Sequence, residues 1–198
     1  MFVDDKKRYL DALYKPDLSR KGNVDERISS LLDTINTFKN YVTTSSCSGR
    51  ILYFVVSDSG KKHDCEWPLV THKKAEVTEF QEKLHAIASS YDTIWFKMES
   101  AILHVQCKTI EDAQFLVNVA KEHGFKRSGI FVIKPERVLV ELISTEKMET
   151  IVVKDKKVLV SDAYIEVLVE TANKKLNRAH KRIDMFEQAL KKHLDLEK

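Results

Sequence analysis

The sequence predicts an α+β fold, one compact domain over residues 1–198 with mixed sheets and a long C-terminal helix. Short β-prone runs outnumber helical ones and do not alternate with them, which excludes a strictly parallel βαβ wind. Only five Gly and three Pro punctuate the 198 residues, so the chain is mostly regular elements. From Ser161 onward a single helical periodicity runs almost to the C-terminus.

Taken in order, residues 6–14 read as an opening helix that breaks at Lys15-Pro16. A second helix starts at Asn23, which can cap it, with Glu26 at the capping-box position. Val24, Ile28, Leu31, Leu32, Ile35 and Phe38 follow at helical spacing. Residues 41–50 are β-prone and end in a turn of small residues. Residues 51–56 form an apolar strand, 57–64 a polar loop and 67–71 another strand. Val77, Phe80, Leu84, Ile87 and Ala88 mark a third helix. Strands at 93–98 and 101–107 follow, paired as a hairpin through Glu99-Ser100. A helix over 110–123 has Thr109 as its cap and Gly124 as its C′ residue. Short strands at 130–133, 138–143, 150–153 and 158–160 precede the last helix. Its apolar positions, from Ile165 to Leu194, alternate steps of three and four almost throughout. The stretches 67–98 and 101–133 share a strand–helix–strand order compatible with an internal duplication, but their side chains do not match well enough to make a repeat.

Hydrophobic residues at 43% suffice for a core, and 32% charged residues for a well-solvated surface. No stretch approaches ~18 consecutive apolar residues, so no membrane span is expected. The N-terminus lacks the apolar run of a secretory signal. Cys47, Cys65 and Cys107 form no Cys-x-x-Cys pair, so neither a disulfide framework nor a metal site is expected, and a reducing cytoplasm fits. A net charge of +3 does not by itself announce nucleic-acid binding.

Several segments can carry chemistry, each with a plainer alternative. Asp17-Leu-Ser-Arg-Lys-Gly22 gathers a carboxylate, a hydroxyl and two cations before a helix, where phosphate can be held; the alternative is helix-entry punctuation. Thr43-Thr-Ser-Ser-Cys-Ser-Gly-Arg50 lets a ligand approach the backbone; the alternative is a sheet edge with a tight turn. On strand 101–107, His104 and Gln106 share one face, roughly 7 Å apart by strand rise, as a pocket floor or as two solvated residues. His72 and Lys73 end another strand with the same ambiguity. Asp112 stabilises its helix from the first turn, and Ser128-Gly129 reads as a turn. Lys174, Arg178, Lys181 and Arg182 form a basic stripe, suited to phosphate or simply a solvated face. No Gly-x-Gly-x-x-Gly, P-loop, His-Glu-x-x-His or Cys/His cluster occurs.

Together the segments are more specific than any one alone. Asp17–Gly22, Thr44-Ser-Ser-Cys-Ser-Gly-Arg50, Leu69-Val-Thr-His72 and His104-Val-Gln-Cys107 occur in this order, followed by Asp112-Ala-Gln114 and Ser128-Gly-Ile130. This set resembles the tRNA wybutosine-synthesising protein 3 family, and an archaeal member of it, from about residue 10 to residue 190. The resemblance implies an S-adenosylmethionine-dependent methyltransferase that does not use a Rossmann methyltransferase fold. It implies methylation of N4 of a 4-demethylwyosine-type tricyclic base at position 37, in the anticodon loop of phenylalanine tRNA. On that reading Asp17, His104 and His72 are the candidate proton acceptors. Ser45, Ser46, Cys47, Ser48 and Gly49 are the candidate donor contacts. Ser19, Arg20, Lys21, Arg50, Lys73, Gln106 and Ser128 are candidates for holding substrate or tRNA. The competing readings are a non-catalytic tRNA-binding module and an RNA hydrolase with His72 and His104 as an acid/base pair.

Overall fold

The computed structural model describes residues 2–13, 25–56 and 65–196, with side chains as far as residue 193. The chain falls into two compact units: residues 1–48, 100–145 and 179–198, and residues 49–99 and 146–178.

The first unit is organised by strand alternation. Its sheet has the order β1 (Tyr41–Cys47), β5 (Ile102–Cys107), β7 (Arg137–Ile143), β6 (Gly129–Lys134). Leu103, Val105 and Cys107 point to one face with Val138, Val140 and Leu142. That face is covered by α2 (Glu26–Thr37), α4 (Ile110–Glu122) and the 179–193 portion of α5 (Asp162–Leu196). Ile28, Leu31, Leu32 and Ile35, the stripe read from the sequence, are fully buried there, each contributing roughly 1.5–3 kcal/mol. Burial in this core pushes the Cys107 thiol up to about 12. The other face carries Ser45, His104, Gln106 and Glu141. Part of that face lies under α1 (Phe2–Leu13), whose Asp5 Oδ2 accepts from Gln106 Nε2 at 3.1 Å. Lys6 ties α1 to the end of α2 by donating to the carbonyls of Asn36 and Phe38, and burial holds its ammonium below the usual lysine range.

The second unit has the strand order β3 (Glu66–Thr71), β2 (Arg50–Val55), β4 (Thr93–Glu99), β8 (Met148–Lys154), β9 (Lys157–Val158). Tyr53, Phe80 and Phe96 cluster with ring centroids 5.1–6.0 Å apart. Tyr53 donates its hydroxyl to the Phe80 carbonyl of α3 (Val77–Ile87), and burial raises its phenol far above the usual range. Asn173 of α5 bonds both backbone groups of Ala75 and so fixes the approach to α3.

Helix signals were legible at α4. Thr109 and Asp112 form the reciprocal capping box, and Gly124 takes the left-handed conformation with φ 98°. At α2 the cap is Asp25 rather than Asn23, which lies outside the described residues. The Asp25 carboxylate accepts from Arg27 N and also bonds Ser48, a distant partner that local spacing cannot reveal.

Two expectations about strands need correction. The Glu99-Ser100 link is not a hairpin: β4 pairs with β2 and β8, whereas β5 pairs with β1 and β7. Glu-Ser also lacks the positive-φ residues that a two-residue hairpin needs. Every neighbouring pair of described strands is antiparallel, so the sheets are not mixed. The two strand–helix–strand stretches do place their strands parallel, but the strands of each pair do not touch. Helix α3 links β3 to β4 with β2 between them, and α4 links β5 to β6 with β7 between them. Each unit thus holds a split βαβ arrangement, though the intervening strand comes before it in one unit and after it in the other.

Candidate active site

One row of residues crosses all four strands of the first unit's sheet. Ser45 on β1 stands opposite His104 on β5, His104 opposite Glu141 on β7, and Glu141 opposite Gly129 on β6. Ser45 Oγ lies 2.7 Å from His104 Nδ1, and His104 Nε2 lies 2.9 Å from Glu141 Oε1. An ionised carboxylate only accepts, so Nε2 carries the hydrogen and Nδ1 of the neutral ring accepts from the Ser45 hydroxyl. The side chains of His104 and Glu141 are 29% and 37% exposed, enough to face solvent while held on both sides. The hydroxyl–imidazole–carboxylate chain can move a proton away from a group placed at Ser45.

The row depends on a bulge. The β1 register shifts between Thr43 and Ser45, and the Thr44 hydroxyl donates to the His104 carbonyl. Thr43 is fixed through Asn36, which accepts from its backbone N–H at 2.9 Å. The bulge re-aims Ser45 onto the His104 face.

The small-residue turn follows directly. Ser48 is fully buried, and both its N–H and its hydroxyl donate to Asp25 Oδ2. Gly49 has φ 101°, a conformation that favours glycine. These two residues therefore shape the turn. What the turn can offer a polar ligand is the hydroxyls of Ser45 and Ser46 and the thiol of Cys47, which are exposed or half-buried.

The second unit places the remaining candidates. Arg50 donates from Nε to Glu99 Oε2 at 2.7 Å, its direct cross-strand partner, and its guanidinium lies 4.6 Å from the Trp67 ring centroid. A cation held this way keeps a fixed direction. His72 Nδ1 lies 3.0 Å from the Gly49 carbonyl, and Lys73 is exposed at the turn that follows.

Other candidates are occupied by the fold. Gln106 is 1% exposed; its amide N–H serves Asp5, and its Oε1 has no hydrogen-bond partner among the described residues. Ser128 is buried, donating to the Phe125 carbonyl and accepting from Ile143 N, so it closes its turn. Arg178 pairs with Glu146, and Arg182 donates to Ser144 and Thr145, which leaves Lys174 and Lys181 as the exposed cations of the stripe without an ion pair among the described residues. Asp17, Ser19, Arg20 and Lys21 lie outside the described residues. No three His, Cys, Asp or Glu side chains among the described residues converge as metal ligands, and no helix there is long and apolar enough to cross a membrane.

Sequence reading missed Glu141, Asp25, Glu99 and Phe131. Glu141 had a signal: it is the one charged residue inside the otherwise apolar run Val138–Ile143, on the face that alternation assigns to His104's side.

Residues 4–192 match the family described as Methyltransferase TYW3. A relative from Thermococcus sibiricus, named tRNA(Phe) 7-((3-amino-3-carboxypropyl)-4-demethylwyosine(37)-N(4))-methyltransferase, is 37% identical over 94% of this chain and 93% of its own. A Danio rerio protein named tRNA wybutosine-synthesizing protein 3 homolog is 41% identical over 90% of this chain and 71% of its own. A solved structure of a Pyrococcus horikoshii protein superposes with a TM-score of 0.85 at 37% identity, covering 96% of this chain and 95% of that one.

Proposed function

This chain belongs to the Methyltransferase TYW3 family, and from that premise we propose its reaction: transfer of a methyl group from S-adenosylmethionine to N4 of a 4-demethylwyosine-type tricycle at position 37 of phenylalanine tRNA. The observation that carries the site assignment is the Ser45–His104–Glu141 row. The accepting nitrogen must lose a proton as it gains the methyl group. Ser45 is the group that meets it: its oxygen takes the substrate proton while its own proton passes to His104 Nδ1. Glu141, bonded to the opposite nitrogen, holds the ring in the accepting tautomer and stabilises the imidazolium.

S-adenosylmethionine, when bound, supplies an electrophilic methyl on a sulfonium that leaves without acid assistance. The exposed edge of the Ser45–Cys47 segment fits the polar groups of such a donor, while Ser48 and Gly49 set the shape of the turn beside it. Arg50, fixed by Glu99 and Trp67, suits a carboxylate or phosphate. Lys73 and the segment Ser19-Arg20-Lys21 serve tRNA phosphates, with Asp17 and His72 as alternative proton acceptors. Residues 1–198 act as one tRNA-modifying domain, a reading supported by the family match over 4–192. None of the three cysteines is in a disulfide, which suits a cytoplasmic setting.

The test is single-turnover methyl transfer with His104→Ala and Ser45→Ala, alongside calorimetry of S-adenosylmethionine binding. Both variants should lose rate by roughly 100-fold or more while tRNA affinity changes little, and His104→Ala should leave donor affinity unchanged. A rate unchanged in both would remove His104 and Ser45 from the chemistry. A non-catalytic tRNA-binding module would bind tRNA and show no donor binding at all.

A further inference from the structure

On the same sheet face, Phe131 stands out. It is an apolar ring left 52% exposed, at a register irregularity in β6: Ile130 pairs with Val140 and Val132 with Leu139, so Phe131 is the extra residue. Bulges re-aim side chains, and this one sends the ring inward across the sheet. Strands β6 and β5 are separated by β7, two strand spacings or roughly 10 Å. Yet the Phe131 ring centroid lies 5.2 Å from that of His104, at an interplanar angle of 42°. The ring therefore leans across β7 toward the imidazole.

The end of the row next to it is empty of side chain. Gly129 stands opposite Glu141, and a Cβ placed on it would meet no atom of the described residues within 4 Å. Its φ is not in the left-handed region, so backbone conformation does not require glycine here. An exposed aromatic ring, an unfilled space beside it and a proton-accepting chain directly below form a shelf for a flat ring system.

We propose that Phe131 and Gly129 form a stacking subsite for the fused tricyclic base, which lies on the Phe131 ring with its reacting edge toward Ser45 and His104. The proposal rests on the methyl-transfer reading for the identity of the base. Stacking scales with ring area, so the subsite favours a three-ring base over the two rings of guanine. It explains how one sheet face can select the modified nucleotide before any methyl is transferred.

The experiment measures equilibrium binding of two tRNAs, one bearing the unmethylated tricycle and one an unmodified transcript, to the wild-type chain and to F131A, F131W and G129V. Wild type should hold the tricycle-bearing tRNA more tightly. F131A should weaken that binding roughly tenfold to a hundredfold, the usual loss for one aromatic–base stack, and weaken the transcript by a smaller factor. F131W should restore it. G129V should fold normally, having open space and a β-branched residue on a strand, and should weaken the tricycle-bearing tRNA alone. Equal binding of the two tRNAs by wild type, or unchanged tricycle binding in both F131A and G129V, overturns the subsite. Methyl transfer by wild type, read separately, decides the catalytic reading: tricycle-selective binding without transfer would sink that reading and leave the subsite standing.

Discussion

Replacing Asp25 with Ala should be among the most damaging single changes to the first unit. The carboxylate performs two tasks: Oδ1 accepts from Arg27 N as the cap of α2, and Oδ2 accepts from the N–H and hydroxyl of Ser48. Loss of the cap costs about 1 kcal/mol. Ser48 is fully buried, so its N–H is stranded away from water, at about 1–3 kcal/mol, while the hydroxyl can rotate to another acceptor. The sum is roughly 2–4 kcal/mol, which for a chain of this size lowers Tm by roughly 5–15 °C. Ser48→Ala removes only the hydroxyl and should cost about 1 kcal/mol. Because the two changes touch one contact, D25A/S48A should cost less than the sum of the singles by about 1 kcal/mol. Thermal melts and urea titrations of the four proteins measure this. A D25A variant within about 0.5 kcal/mol of wild type, or strictly additive costs, would refute the view that Asp25 anchors the turn.

Two further outcomes follow from the same accounting. Gly124 has φ 98°, and a Cβ there would lie 2.7 Å from Arg182 Cγ and Cδ, so Gly124→Ala should destabilise by about 1–3 kcal/mol in denaturant titrations; a neutral result would show that Arg182 swings away freely and that the backbone relaxes. In salt titrations of tRNA binding, Lys174→Ala with Lys181→Ala should flatten the log–log slope, while Arg182→Ala should not, because Arg182 is engaged with Ser144 and Thr145; the opposite ordering would contradict the assignment.

Sequence patterns reached as far as local physics carries. The apolar stripe of α2, the Thr109 cap with Asp112 and the left-handed Gly124 all follow from spacing and backbone preference, and each is present. What failed was pairing. Nothing local tells β4 to pair with β2 and β8 while β5, two residues later, joins β1 and β7 in a different sheet. The candidate site divided in the same way. His104 and the Ser-rich turn were visible as unusual residues at strand positions. Their partners were not: Glu141 is 37 residues from His104, Asp25 is 23 from Ser48, and Glu99 is 49 from Arg50. Gln106 shows the converse error. Alternation put it correctly on the His104 face, but only the position of α1 decides that it is buried against Asp5 rather than open to tRNA.

The central claim is that this chain methylates a preformed tricyclic base and that Ser45 and His104 move the proton. Labelled S-adenosylmethionine, supplied with tRNA from cells lacking this protein and with an unmodified transcript, tests it most directly. Label should appear only on the first tRNA, at the nucleoside following the anticodon, and His104→Ala should slow its appearance by roughly 100-fold or more without loss of tRNA binding. Equal labelling of the transcript, or labelling at the wild-type rate by His104→Ala, would contradict the account.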